Sequence, residues 1–393
     1  MIESISIGNF KSVGDDVTLM MMGKFNCLIG MNGSGKSTIL QAIDFISKIM
    51  SGKIQDWLDN RGWVINDLNC KLGKESNISL CVQFRTSDDQ HLLWLGSFNR
   101  SELRCTSELV KIDDKTVFNS MGQHFRFNSK PKQQDISFIY QGSILSALKD
   151  SELSAPLLEF RDAMRSIRSL ELLSPQLMRK TTRNNEIDIG VGGEKLAGYL
   201  GSIKGEPRKR LVEQLKHFYP NLVDFKVTNQ RAGWKKLSII ESFDGQRLET
   251  EAMHLSDGLL RILAVLTQSD SDRSLILLDE IENGINQEII EKLVDTLVAS
   301  PQQILVTTHS PLILNFLEDN VARESVQFIY KSPRGESRIR HFFEIPRIAE
   351  KLGYMGPGDA FVDTDLQALT IECVALDDLE ADQYKKFRLK HRI

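Results

Sequence analysis

Four short stretches carry residue types that could do phosphate chemistry. GMNGSGKS (30–37) has glycines at the spacing that lets successive backbone N–H groups curl around a phosphate, followed by a lysine and a hydroxyl residue. Lys36 would reach the β- and γ-phosphates, and Ser37 would ligate Mg²⁺. The neighbouring loop residues Asn32, Gly33, Ser34, Gly35 and Thr38 would cradle the nucleotide at a helix N-terminus. LILLDE (275–280) ends an apolar run in two carboxylates. Asp279 there can hold a metal ion, and Glu280 is placed to orient and deprotonate a water. VTTHSP ends another apolar run at His309, whose imidazole can bond a γ-phosphate and switch as it leaves. FIYQGSI places Gln141 at a strand-to-helix junction, where its amide can touch Mg²⁺ or the water.

A fifth stretch, HLSDGLLR (254–261), is a helix start with Ser256 and Gly258 ahead of an apolar run. It is a second anion-friendly N-terminus with no ligand of its own. Basic residues are weighed in the same way. Arg161, Arg165 and Arg168 would share one face of a helix, and PRKRLVEQLKH (207–217) and the tail KKFRLKHRI are also basic. Such patches could meet nucleic-acid phosphates, but solvated faces or intersubunit salt bridges are the commoner outcome. No aromatics are interleaved with the arginines to stack bases.

The phosphate loop needs a buried strand before it and a helix after it. FNCLIG (25–30) and STILQAIDFISKIM supply both. SLILLDE and QILVTTH read as further buried strands separated by the helix QEIIEKLVDTLV, which argues for a parallel sheet covered on both faces. Residues 76–140 are strand-rich, with a turn at Asp113-Asp114, and 142–218 read as mainly helical. Two short strands follow, around 222–228 and 236–241. The 393 residues are 41% hydrophobic and 26% charged, enough for a sizeable core without disulfides. The net charge of −4 exerts no general pull toward nucleic acid or anionic membrane. Five scattered cysteines read as reduced thiols, and no signal peptide or membrane-length apolar run is visible, so a cytoplasmic protein is expected.

These five motifs, in this order, resemble an ATPase of the ABC superfamily: phosphate loop, Q-loop, signature LSDG (255–258), strand carboxylates and switch histidine. IGNFKSV and FIYQGSI resemble its SMC and RecF branch. DEIENGI followed by THSP resembles stand-alone prokaryotic ATPases near the OLD nucleases, a group with ATPase subunits of anti-phage systems such as PARIS and Septu. The fold expected is α/β: a P-loop NTPase, ABC-type head with a mixed central sheet, an antiparallel β subdomain and an inserted helical subdomain. The expected parts are an N-terminal lobe (1–141), a helical insertion (142–250), a C-terminal lobe (251–330) and an extension (331–393).

The resemblance implies that two copies meet head to tail, as a dimer or larger assembly. Ser256 and Gly258 of one copy would face the ATP held by the other. Transporters read LSGGQ; here Asp257 and Leu259 stand in the signature, and the Asp257 side chain should point away from a γ-phosphate. Residues 142–254 lack the long heptad repeat of SMC arms. Asp363 and Asp365 in FVDTDLQ would share one face of a strand, as a Toprim nuclease's metal pair does, but no upstream glutamate motif accompanies them. The expected function is an ATP- and Mg²⁺-dependent ATPase subunit controlling a separate effector, with a nuclease and DNA as candidate partners and anti-phage defence as the setting. A RecF-like repair ATPase is the alternative, and a transporter ATPase a more distant third.

Overall fold

A computed structural model describes residues 1–16, 18–129, 132–269 and 273–391, with side chains up to 380. The elements belong to two units, Met1–Arg165 with Thr307–Ile393, and Ser166–Val306.

The first unit opens with β1 (Ile2–Gly8), β2 (Thr18–Met21) and β3 (Phe25–Ile29). Every residue of β3 is buried, as an apolar run covered on both faces must be. The phosphate loop leads into α1 (Lys36–Ser51), followed by α2 (Ile54–Arg61). Next come β4 (Asn77–Arg85), β5 (His91–Asn99), β6 (Arg104–Ile112), β7 (Lys115–Met121), β8 (His124–Phe127) and β9 (Gln134–Asp135). They form an antiparallel sheet in the order β2-β1-β4-β5-β6-β7-β8-β9. The β6–β7 turn falls at Asp113-Asp114, both with positive φ, as the mirror-image hairpin turn requires. Alternation along β4 and β5 buries Ile78, Leu80, Val82, Phe84, Leu92, Trp94 and Phe98. Phe45 of α1 packs edge-on against Phe98 at 5.0 Å. Phe160 of α3 (Ala155–Arg165) meets Phe84 at 5.7 Å. The antiparallel sheet is thereby fastened to the helix that follows the phosphate loop.

The second unit starts with β10 (Arg168–Ser169), α4 (Pro175–Met178), β11 (Thr182–Arg183), α5 (Leu196–Ser202) and α6 (Glu206–Phe218). Three strands follow, β12 (Leu222–Asn229), β13 (Trp234–Phe243) and β14 (Gln246–Glu251). They pair as antiparallel neighbours with β13 between β12 and β14. The sequence shows the first two; β14, QRLETE, has too little apolar character to announce itself. The unit continues with α7 (Asp257–Ser269), β15 (Leu275–Leu278), α8 (Gln287–Val298) and β16 (Gln303–Thr307). Strands β10, β15 and β16 run parallel, and α6 packs against α7 and α8.

The chain then returns to the first unit with α9 (Pro311–Asn315), α10 (Asp319–Ser325), β17 (Val326–Lys331) and β18 (Ser337–His341). Strand β17 pairs parallel with β3 and antiparallel with β18. The chain ends in α11 (Pro346–Lys351), α12 (Pro357–Val362) and α13 (Leu366–His391). Tyr330, Arg338 and Arg340 on β17 and β18 grip Asp377 of α13 by hydrogen bond and ion pair. The five cysteines are free thiols. Among the described residues no helix is long and apolar enough to cross a membrane. The fold is mixed α/β with an antiparallel β subdomain.

Two expectations are corrected here. FVDTDLQ is not a strand: Asp363 follows the end of α12, and Asp365 accepts the Gln367 and Ala368 N–H groups at the start of α13. The Asp363 carboxylate pairs with Lys351 at 3.0 Å. The two acids therefore do different structural jobs. Arg161, Arg165 and Arg168 do not share a helical face either, since α3 ends at Arg165 and Arg168 lies on β10. Arg161 is 2% exposed and bound to Asp150 and the Leu148 carbonyl. The basic tail KKFRLKHRI lies outside the described side chains.

Candidate functional site

The phosphate loop is built from conformations that only glycine takes cheaply. Gly30, Gly33 and Gly35 have φ of 146°, 76° and 115°. A side chain on Gly30 would collide with the Ile329 carbonyl of β17, and one on Gly35 with the Ser337 hydroxyl of β18. At Gly33 a side chain would meet nothing, so the space in front of that turn is open. Ser337 donates to the Ser34 carbonyl at 2.5 Å and bonds Ser12 at 2.7 Å, while Ser12 reaches Thr38 at 3.2 Å. A residue some 300 positions downstream thus holds the back of the loop, a role with no local sequence signal.

Lys36 is 6% exposed, and its ammonium donates to the Gly30 carbonyl at 2.9 Å and the Met31 carbonyl at 3.2 Å. His309 Nδ1 stands 3.5 Å from Lys36 Nζ. That meeting follows from the backbone: Thr308 N–H donates to the Leu28 carbonyl of β3 at 3.1 Å, so the residue after β16 is carried to the loop. The Ser34 hydroxyl is buried and finds no protein partner, although buried hydroxyls almost always have one. A phosphate oxygen would satisfy it. With the open turn at Gly33, these features fit a nucleotide's phosphates.

Gln141 is not at a strand-to-helix junction. Phe138, Ile139 and Tyr140 lie in irregular backbone, and Ile139 is fully exposed, so the apolar FIY triplet is not a buried strand. Gln141 leads into a short turn of helix at Ile144–Ser146. Its side-chain oxygen accepts the Gln55 N–H of α2 at 3.2 Å, and its carbonyl accepts the Ser146 hydroxyl at 3.3 Å.

Asp279 and Glu280 follow β15 in the second unit. Glu280 has φ 47°, a left-handed conformation that a β-substituted residue adopts only at a cost. It is exposed, and Asn283 bonds its carboxylate at 3.2 Å and donates its own N–H to the Glu280 carbonyl at 3.0 Å. The turn thus places Glu280 just beyond the strand end, its carboxylate held by Asn283.

In the signature, Ser256 is exposed and its hydroxyl accepts the Leu259 N–H at 3.3 Å, a helix N-cap. Asp257 is held by an arginine. Arg179 of the loop after α4 bonds its carboxylate at 2.5 Å and also takes the Leu255 carbonyl at 2.8 Å. A Cβ on Gly258 would come within 2.8 Å of the Gly284 carbonyl. Glycine is thus needed there because the turn after Glu280 packs against the start of α7.

The basic helix α6 is paired internally. Arg208 bonds Asp224 at 2.8 Å and lies 4.5 Å over the Phe225 ring, and Lys209 and Lys216 meet Glu206 and Glu213. Solvated or internal pairing, rather than a free basic stripe, describes these three residues.

A family described as "AAA domain, putative AbiEii toxin, Type IV TA system", AAA_21, matches residues 25–315. The chain belongs to the AAA_21 family. Residues 25–315 run from β3 through the phosphate loop, LSDG (255–258) and Asp279-Glu280 to His309 and the end of α9. No curated relative matches this AAA_21 chain. Among solved structures, an SMC head bound to the C-terminal winged-helix domain of ScpA is similar at TM-score 0.51 and 14% identity, covering 86% of this chain and 96% of that one. The Smc head domain of Pyrococcus furiosus, with an extended coiled coil and bound to the C-terminal domain of ScpA, gives 0.51 and 12%, covering 90% and 99%. That of Pyrococcus yayanosii, with a coiled coil and joint, gives 0.50 and 11%, covering 87% and 97%. At such identities the likeness is one of fold: the AAA_21 chain shares the fold of the SMC head domain.

Proposed function

We propose that this AAA_21 protein binds and hydrolyses ATP and uses the cycle to engage a second copy and control a separate effector. The phosphate loop carries the reading: its turn is open at Gly33, Lys36 is buried against the loop carbonyls, and the Ser34 hydroxyl is buried without a protein partner. Asn32 to Thr38 bind the phosphates, with Lys36 countering charge on the β- and γ-groups. Ser37, Gln141 and Asp279 offer a hydroxyl, an amide oxygen and a carboxylate, the hard oxygen donors that Mg²⁺ accepts. Mg²⁺ bound there would neutralise phosphate charge. Glu280 takes a proton from a water whose oxygen bonds to the γ-phosphorus. The bond to the β–γ bridging oxygen breaks, giving ADP and phosphate. His309 bonds the γ-phosphate and responds to its departure.

Ser256 and the N–H groups at Gly258 receive the γ-phosphate of a second copy. Asp257, held by Arg179, keeps its charge away from that anion. The resemblance to stand-alone defence ATPases supports a cytoplasmic regulator in anti-phage defence, with a nuclease as one candidate effector, and the family description names a type IV toxin–antitoxin system. A RecF-like DNA clamp is the alternative. The internal pairing of Arg161, Arg208 and Lys209 weighs against it.

The test is phosphate release by the purified chain with ATP and Mg²⁺, beside Lys36→Ala, with and without duplex DNA and the product of a neighbouring gene. Hydrolysis lost in Lys36→Ala and altered by the protein partner supports the reading. Strong stimulation by DNA alone would transfer support to the repair clamp. No hydrolysis by the wild-type chain would remove the ATPase assignment.

A further inference from the structure

Glu108 is a carboxylate in the wrong place for an ordinary sheet. It sits on β6 with its side chain on the buried face and is 1% exposed. Its cross-strand neighbours are Gly96 of β5 and Ser120 of β7. Because residue 96 lacks a side chain, the Trp94 indole can lie along β5 over it. The indole Nε1–H then donates to Glu108 Oε2 at 2.9 Å. Ser143 donates its hydroxyl to the same oxygen, and the Ile144 N–H donates to Oε1 at 2.7 Å. The Ser143 hydroxyl has its acceptor side occupied by the Leu145 N–H at 3.1 Å, so its proton is directed to Glu108. An indole N–H and a backbone N–H can only donate, so this pocket is wired for an acceptor.

A buried carboxylate costs free energy unless it is compensated, and none of these three partners is a cation. What it gains is the geometry of one segment. Ser143 and Ile144 follow Gln141 directly, and the rest of that backbone is tied down as well. Gly142 exchanges backbone bonds with Leu103 and Cys105, each at 2.8 Å. Ser143 N–H reaches the Ile49 carbonyl near the end of α1 at 3.0 Å, and a side chain on Gly142 would collide with that carbonyl. Arg165 of α3 bridges the Met50 and Ser146 carbonyls at 2.8 and 2.9 Å. Helix α1 begins at Lys36, so the residues after Gln141 are referenced to the far end of the phosphate-loop helix.

We propose that Glu108 is a positioning residue for Gln141: from the β subdomain it locks residues 143 and 144, and through them sets where the Gln141 amide stands. This rests on the assignment of Gln141 to the nucleotide site. Replacing Glu108 by glutamine preserves shape but points an amide donor at a donor, so at least one of the three bonds is lost.

Two measurements on the full chain test it, so that its failure is distinct from failure of the ATPase reading. The first is amide hydrogen exchange of residues 142–146 without nucleotide. Glu108→Gln should speed it roughly tenfold, the factor expected for one lost buried hydrogen bond; exchange at the wild-type rate would overturn the tether. The second is the Mg²⁺ concentration for half-maximal hydrolysis at saturating ATP. Glu108→Gln should raise it in the same sense as Gln141→Ala, and the double variant should be no worse than Gln141→Ala alone. Additive effects would mean that Glu108 does not act through Gln141. If Glu108→Gln does not fold, Ser143→Ala removes one donor and takes its place in both arms, with the same outcomes deciding. If the wild-type chain hydrolyses no ATP, the exchange measurement still decides whether Glu108 holds the segment.

Discussion

Glu280 shows how a single residue pays for its position. Its left-handed backbone is strained for any residue with a Cβ, and glycine would relieve that strain. Glu280→Gly should therefore be more stable than Glu280→Ala by about 1 kcal/mol, both lacking hydrolysis. Equal melting temperatures would show that the turn is relaxed. Glu108 makes a second residue-scale case. Burial pushes its pKa from 4.5 up to about 7 against the pull of its three donors, and the buried Cys105 and half-buried Tyr140 beside it are raised too. An acid raised in the fold binds more protons folded than unfolded between those values, so stability falls as pH rises from about 4.5 to about 7. Each unit of displacement corresponds to about 1.4 kcal/mol. Glu108→Gln should flatten that slope in urea titrations between pH 5 and 8, and an unchanged slope would place the titration elsewhere.

At the scale of elements, the start of α7 is where sequence and packing disagree instructively. The motif suggests that Gly258 is small so that a phosphate can approach. The structure shows a second reason, the Gly284 carbonyl within 2.8 Å of a would-be Cβ. Gly258→Ala should thus destabilise the second unit even without nucleotide, by about 1 to 3 kcal/mol as overpacking does. An unchanged denaturation midpoint would mean that the turn yields freely. Arg179→Ala is the complementary change. Its partner Asp257 is exposed, so the pair is screened and folding should shift by under about 1 kcal/mol. ATP-driven association should weaken more, because Asp257 is then free to face the partner's anion; sedimentation with ATP would report it.

For the whole molecule, the signature forecasts an assembly that no motif within one copy could. Glu280→Gln should bind ATP without hydrolysing it and accumulate as a dimer or larger species. A mutant that sediments only as monomer with ATP and Mg²⁺ would defeat head-to-tail engagement.

Local chemistry made the phosphate loop, the two strand carboxylates, the signature and the alternating strands of the β subdomain legible from the sequence. Each is written in consecutive residues whose backbone demands and periodicity need no distant partner. The irregular setting of Gln141 is not legible in the sequence, because an apolar triplet reads as a strand whether or not anything covers it. The sequence shows the arginines of α3 as a basic cluster, but not their acceptors, which tertiary contacts supply. Only the folded chain could bring Ser337 behind the loop, His309 beside Lys36, and Glu108 beneath the segment after Gln141. Those pairings join residues far apart in sequence, and only the packing of sheet on helix decides which side chains meet.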